Sequence, residues 1–268
     1  MPTRPPEIVV LKIGGSVLTD LDAYRRCAAT LSRRVKSRPH ERLLVVVSAR
    51  FGETDRLQSL ATESCTTPDR RLLDLLWSTG EVYSASVLAL CLHTAGIDAV
   101  GLDVHQCGLR SSGLDADDES VQVNPLPLLY QLRRHPVVVV PGFFATGPGD
   151  TIVSLGRGGS DFTAVVLAAA LGAERCELIK DVPGYFTKDP NRHADARPLR
   201  SVTYETALQM AAAGCDLVQT RALRAAQRTC TKLVIRALAD GGNETIVSMD
   251  RELAPAELVP ACETRLAV

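Results

Sequence analysis

The chain has 268 residues, room for one large domain or two modest ones at roughly 150 residues each. Lys and Arg total 30 and Asp and Glu total 31, so the formal charge is −1 and no bulk basic field points to nucleic acid or an anionic membrane. Aromatic residues make up 4%, which argues against a base-stacking platform, and the 46% apolar and 23% charged fractions are those of a folded chain rather than a disordered one.

Short β-branched runs alternate with longer helical stretches. Ile8–Ile13 reads as a buried strand, and Tyr24, Cys27, Ala28, Leu31 and Val35 recur at helical spacing over 23–36. Leu43–Ser48 is a second buried strand. Thr67-Pro68 reads as an N-cap followed by Pro at the first helical position. Helical sequence continues to Ala95 with a break or bend expected near Gly80, and Gly96 stops it. Ala99–Leu102 is a short strand, and 103–125 an irregular acidic excursion with Asp115, Asp117, Asp118 and Glu119. Leu126–Arg134 is a helix and Val137–Val140 a strand. A Gly/Pro loop, Gly142–Asp150, precedes a helix over Asp161–Leu171. Cys176–Ile179 is a strand, 180–200 a polar loop, and 202–213 and 221–229 are helices. Val234–Ile235 and Thr245–Val247 close the chain as strands. Buried strands alternating with helices predict an α/β fold, a three-layer α/β/α sandwich with a mainly parallel central sheet. The Gly142–Asp150 loop is expected to divide two lobes around one sheet.

Eight cysteines, none closer than fifteen residues to the next, contain no C-x-x-C pair. That excludes zinc-ribbon and thioredoxin motifs and suits reduced core thiols in a reducing compartment. The N-terminus has no apolar leader core, and no apolar run is expected to reach the ~18 residues of a bilayer span.

Ligands of such a sheet gather at the carboxyl ends of its strands. Lys12-Ile13-Gly14-Gly15-Ser16 ends the first strand, with adjacent glycines that let backbone N–H groups approach an anion and a lysine beside them. By itself the segment also fits a plain tight turn. Leu155-Gly156-Arg157-Gly158-Gly159-Ser160-Asp161 is a stronger signal. Three glycines, an arginine fork and a Ser/Asp N-cap before a clean helix make an anion site. Asp161 suits a lysine or a metal-bound water. Ser48 and Thr54 follow the second strand, and Ser78-Thr79-Gly80-Glu81 sits at the expected helix junction. There Glu81 suits either a dipole cap or a grip on an ammonium group. Lys180-Asp181-Val182-Pro183-Gly184 leads to Thr187-Lys188-Asp189-Pro190-Asn191. A P-loop is absent, Asp161 replaces the last glycine of a dinucleotide fingerprint, and Leu18 replaces the last glycine of a nucleophile elbow. The five histidines show no ligand spacing.

Taken in order, these segments resemble the catalytic domain of aspartate kinases, within the amino-acid kinase family and its acetylglutamate kinase-like fold, over about 8–248. The resemblance implies ATP-dependent phosphoryl transfer to the side-chain carboxylate of L-aspartate, with ATP and Mg²⁺ required and no protein metal ligand. It implies catalytic roles for Lys12, Asp161 and Lys180. Ser48, Thr54, Glu81, Arg157 and Ser160 would bind the acceptor, with Arg157 on its α-carboxylate and Glu81 on its ammonium. Gly14, Gly15, Ser16, Gly158, Gly159, Asp181, Gly184, Tyr185, Phe186, Lys188 and Asp189 would contact nucleotide or phosphates. Within a domain of 1–250, an acceptor lobe of about 8–142 and a nucleotide lobe of about 143–250 are expected, with a short tail at 251–268. That leaves no room for the ACT domains that usually follow, and implies activity insensitive to lysine and threonine. A cytoplasmic homodimer with no nucleic-acid or membrane partner is expected.

One departure stands out. Many aspartate kinases carry Gly-Ala-Lys-Val-Leu-His-Pro where this chain has Gly214-Cys215-Asp216-Leu217-Val218-Gln219-Thr220. Asp216 replaces a phosphate-side lysine, and Lys180 is the candidate to supply that charge. The departure keeps open another small carboxylate or phosphate acceptor in a specialised pathway, or a catalytically silent regulatory subunit.

Overall fold

The computed structural model describes residues 6–114, 121–190, 192–238 and 242–249. Its chain order is β1 (Glu7–Ile13), α1 (Leu21–Ser37), β2 (Glu41–Val47), α2 (Glu53–Ser64), α3 (Arg70–Thr94), β3 (Ala99–Gly101), β4 (Leu109–Ser111) and β5 (Val121–Val123). There follow α4 (Leu126–Arg134), β6 (Val137–Pro141), β7 (Phe144–Thr146), β8 (Ile152–Ser154), α5 (Gly159–Ala170) and β9 (Arg175–Lys180). Last come β10 (Ser201–Thr203), α6 (Tyr204–Ala212), α7 (Thr220–Thr229), β11 (Leu233–Ala237) and β12 (Glu244–Ser248).

The near-continuous valine and leucine runs of β1, β2 and β6 predict strands buried on both faces, and these three lie side by side at the centre. The main sheet has eight strands in the order β10-β12-β11-β9-β1-β2-β6-β3, parallel except between β11 and β12. Successive side chains point to opposite faces of a strand. Val9, Leu11 and Ile13 of β1 therefore pack with Tyr24, Cys27 and Leu31 of α1 and Leu88 and Leu92 of α3. Val10 joins Phe162 and Val165 of α5 and Leu223 of α7 on the other face. Two helical layers with a sheet between them match the three-layer expectation.

Several local readings need correction. A helix, α2, occupies 53–64, where the sequence reading assigned no element; it buries just Leu57 and Ala61, so its apolar pattern is faint. Helix α3 starts at Arg70, capped by the Asp69 carboxylate on the Arg71 N–H, rather than at Thr67-Pro68. It then runs unbroken through Gly80. A Cβ there would lie 3.3 Å from side-chain atoms of Ala49, Glu53 and Leu57, so this glycine marks a close approach of α2 to α3, not a bend. By length and composition α3 is the one helix among the described residues that could cross a bilayer, which the sequence reading did not register. Here it is a core helix on the sheet. The Gly142–Asp150 stretch is not only loop, because β7 lies in it and pairs antiparallel with β8. The 103–125 excursion contains β4 and β5, while its acidic Asp115, Asp117, Asp118 and Glu119 lie outside the described residues. Val202 belongs to β10, and α6 starts two residues later with Thr203 as its N-cap. Asn191 and the 251–268 tail also lie outside the described residues.

The buried face of α3 changes character along its length. Ala85, Leu88 and Leu92 cover the sheet, while one to three turns earlier the same face carries Asp74, Ser78 and Glu81. Asp74 accepts the Ser154 N–H at 3.1 Å and the Arg70 Nε at 3.0 Å. This clamp ties α3 to β8, the strand that leads into the Leu155–Asp161 loop.

Candidate functional site

Lys12 is the penultimate residue of β1, opposite Leu178 of β9 and Val46 of β2, on the face covered by α5. Lys180 closes β9 on that same face by strand alternation. Asp161 stands in the first turn of α5. Its Oδ1 lies 2.9 Å from the Lys12 Nζ, and its Oδ2 accepts from the Lys180 Nζ at 2.8 Å. One carboxylate thus holds two ammonium groups side by side at the strand ends, and the cluster carries a surplus positive charge. Asp161 is 3% exposed and Lys12 7%. Burial alone would push the Asp161 carboxyl up; Lys12 and Lys180 outweigh it and hold it at about 2. Burial lowers the Lys180 ammonium, Asp161 pulls it back up, and Lys12 pushes it further down.

Backbone donors surround this cluster. The turn at Gly15–Val17 bonds the Val17 N–H to Gly14 and the Leu18 N–H to Gly15, which leaves the N–H groups of Gly15 and Ser16 outside it. The Gly14 N–H instead donates to the Ile179 carbonyl at 3.4 Å, so this glycine offers no free donor. Helix α5 begins at Gly159, two residues before the expected start. Gly158 is its N-cap, and Ser160 and Asp161 lie in the first turn with no capping side chain. The first helical bond runs from the Phe162 N–H to Gly158, so the N–H groups of Ser160 and Asp161 stay outside the helix's own bonding. Gly158 has φ +75°, and a Cβ would meet Gln219 at 2.5 Å, so this backbone turn requires glycine.

Glu81 lies mid-helix in α3, not near an N-terminus, and is 5% exposed. Its Oε2 has no partner among the described residues. Burial pushes its carboxyl up to about 8, opposed by the Ala49 backbone and by Lys12. Ser160 is buried. Ser48 is half-buried just beyond β2, where its N–H donates to Ile13 at 3.1 Å.

Other expected site residues stand apart from this cluster. Arg157 is 83% exposed, with its guanidinium 3.6 Å from Asp216. Thr54 is exposed at the start of α2, and Asp181 is exposed beside Lys180. Gly184 is buried against Thr245 with φ +143°. The Tyr185 side chain belongs to the hydrophobic core rather than to an open surface, with its N–H on the Thr245 hydroxyl at 2.9 Å. Phe186 is half-buried and bridges to Pro198. Lys188 pairs with Asp195 at 2.8 Å, and Asp189 lies 3.6 Å from Arg192.

Sequence reasoning missed Arg221 and Asp74. Arg221 donates to the Leu155 carbonyl and stacks 4.0 Å over the Phe162 ring, which fixes the loop before α5. Asp74 was legible only through its i, i+4, i+7 relation to Ser78 and Glu81, and that required α3 to be continuous.

The family model of the amino acid kinase family matches residues 7–237. This chain belongs to the amino acid kinase family. Among its relatives, the aspartokinase of Thermus thermophilus is 40% identical over 230 residues, which is 86% of this chain and 56% of that protein. The aspartate kinase structure from Synechocystis superposes with a TM-score of 0.77 at 31% identity, across 96% of this chain and 40% of that one. The structure of E. coli aspartokinase III in complex with aspartate and ADP, in its R-state, gives 0.76 at 25% identity, across 92% and 65%. The chain therefore spans a little over half the length of the Thermus relative it matches.

Proposed function

We propose that this chain transfers the γ-phosphoryl group of ATP to the side-chain carboxylate of L-aspartate, releasing ADP and giving 4-aspartyl phosphate. The reading rests on the aspartokinase relatives and is carried by one observation, the pair of lysines locked on Asp161 at the strand ends. A carboxylate is already an anionic nucleophile at neutral pH, so the reaction needs no general base. It needs charge neutralisation and in-line alignment. Lys12 and Lys180 supply two pre-organised positive charges, and the N–H groups of Gly15, Ser16, Ser160 and Asp161 add donors for phosphoryl oxygens. As the carboxylate oxygen bonds to phosphorus, the bond to the β-phosphate oxygen breaks and the electron pair leaves with ADP. The intact lysine pair disfavours a silent regulatory subunit.

Mg²⁺ bound to the phosphates would neutralise charge on them. Asp161 is already spent on two lysines, and no group of three metal-ligating side chains occurs among the described residues. That donor set fits an ion carried in on the nucleotide rather than one caged by protein. Gly158, Gly159, Asp181, Gly184, Phe186, Lys188 and Asp189 are assigned to the nucleotide side, with Tyr185 anchoring their loop in the core through its N–H on Thr245 and its carbonyl on Leu199. The acceptor side falls to Ser48, Thr54, Glu81, Ser160 and Arg157, which would exchange Asp216 for the α-carboxylate. A division at about 142 into acceptor and nucleotide lobes then has Arg157 and Ser160 reach the acceptor from the nucleotide lobe, and Lys12, Gly15 and Ser16 reach the phosphates from the acceptor lobe.

Glu81 supports an acceptor with a free amine, because its buried, unpartnered oxygen suits an ammonium group. Glu81→Gln is expected to raise KM for aspartate by tens-fold or more, since removing one partner of a buried charge pair costs about 2–5 kcal/mol, and to leave KM for ATP nearly unchanged. The same change should stabilise the free protein near pH 8. A carboxyl raised to about 8 when folded, against 4.5 unfolded, favours unfolding increasingly between those pH values, and glutamine removes that slope. Steady-state kinetics and denaturant melts read both effects; an unaltered aspartate KM removes Glu81 from the acceptor site.

The proposal extends to a cytoplasmic homodimer. The described cysteines are all free, which suits a reducing compartment. Leu72, Leu75, Tyr83 and Leu90 form an exposed apolar stripe along α3 that a second copy would cover.

A further inference from the structure

The strands that carry Lys180 present a second charged cluster on their opposite face. Strand register aligns Glu177 of β9 with Val234 of β11 and Ile246 of β12, and Arg175 and Lys232 flank them on that side. With the last turns of α1 they enclose a cleft of about 700 Å³. Six cationic side chains line it, Arg33, Arg34, Arg38, Arg175, Lys232 and Arg236, against three carboxylates.

Hydrogen-bond supply decides what the cleft can take. Glu177 accepts from Arg34 Nη1 and Nη2 at 2.8 Å, from Arg175 Nε at 2.9 Å and from Arg236 Nε at 3.0 Å. Its acceptor capacity is full. Arg34 completes its donors on Glu41, and Arg175 spends its own on Glu7, Glu41 and Glu174. Arg236 differs. Its side chain is only 16% exposed, yet among the described residues only its Nε has an acceptor. Lys232 and Arg236 lie two positions to either side of Val234, and Lys232 has no ion-pair partner among the described residues. A guanidinium fork largely withdrawn from water, with a second cation on the same strand face, is a receptor for a planar or tetrahedral oxyanion. Glu7, Glu41 and Glu174 balance Arg34 and Arg175, so the donors left uncommitted are the Arg236 fork and Lys232, two cationic groups that suit a ligand with two or more negative charges better than a monovalent one.

We propose that this cleft binds a small multivalent oxyanion, phosphate-bearing or polycarboxylate, between the Arg236 fork and Lys232. The site is separate from the lysine pair on Asp161, because β9 turns Glu177 to one face and Lys180 to the other. Occupancy bridges α1, β9 and β11 and stabilises the fold by mass action.

Thermal unfolding of the full chain in pyrophosphate, in citrate and in chloride of matched ionic strength tests the assignment. At about a hundredfold excess over Kd, a rise of roughly 5–10 °C above the chloride control is expected. The rise should persist in Lys12→Ala, which removes a charge from the other face. It should vanish in Lys232→Gln, an exposed position whose change spares the Glu177 network, and in Arg236→Gln. A rise with pyrophosphate alone assigns the phosphate class, and a rise with both assigns multivalent charge. No rise over chloride, a rise undiminished in Lys232→Gln, or one abolished by Lys12→Ala overturns the proposal.

Discussion

Lys12→Ala is expected to lower turnover by on the order of 10²–10³, with a much smaller change in ATP affinity. Removing one pre-organised donor to developing charge costs about 2.7–4 kcal/mol in the transition state. Lys12 is such a donor: it sits at the end of a central strand, is nearly excluded from water, and is held at 2.9 Å by Asp161 before any ligand arrives. A flexible surface lysine would first have to be ordered. Lys180→Ala differs in kind, because Lys180 begins the loop assigned to the nucleotide and is the candidate replacement for the charge lost at Asp216. It should weaken ATP binding as well as turnover. Near-wild-type turnover in Lys12→Ala would remove Lys12 from the mechanism, and unchanged ATP affinity and turnover in Lys180→Ala would remove Lys180.

Asp161→Ala should destabilise the fold by about 3–5 kcal/mol, the range for breaking a buried ion pair from one side. Two ammonium groups would then face each other with no carboxylate between them. The wild type should show the same bond in its acid limb. Asp161 titrates at about 2 when folded against 3.8 unfolded, so its contribution is complete above about pH 4 and is lost as pH falls through 2. The difference corresponds to about 2 kcal/mol. Glu177, held at about 2 by its arginines, adds to the same limb from the opposite face of the sheet. Urea melts between pH 2 and 5 should therefore be steeper in pH for wild type than for Asp161→Ala. Equal slopes, or a loss below about 1 kcal/mol at neutral pH, would contradict the bridging geometry.

The parts of this fold visible in the sequence are those with strong periodicity. The valine runs of β1, β2 and β6 and the bounds of α4 follow directly from it, because burial on both faces or on one helical stripe leaves few alternatives. Short or faint elements escaped. Helix α2 buries two side chains, and β7 and β8 are three-residue strands held by a hairpin rather than by propensity. Gly80 misled for a physical reason, since a glycine that admits a neighbouring helix looks like one that ends its own. At the site, glycine spacing marked both loops, and Asp161 was open to a lysine or a metal-bound water. Only the register of β1 against β9 brings Lys12 and Lys180 to one carboxylate, and that is a long-range pairing no local window contains. Arg157 shows the opposite limit. Its residue type suits a carboxylate, and the structure gives it one, Asp216, from this chain itself.

The most direct measurement is a hydroxylamine trap. The chain is incubated with Mg-ATP, hydroxylamine and a panel of amino and dicarboxylic acids, and the hydroxamates are identified. Aspartyl hydroxamate as the main product, with stoichiometric ADP and with loss of both in Lys12→Ala, is the predicted result. Another hydroxamate as the main product, or none while the folded protein still binds ATP, would contradict aspartate as the acceptor.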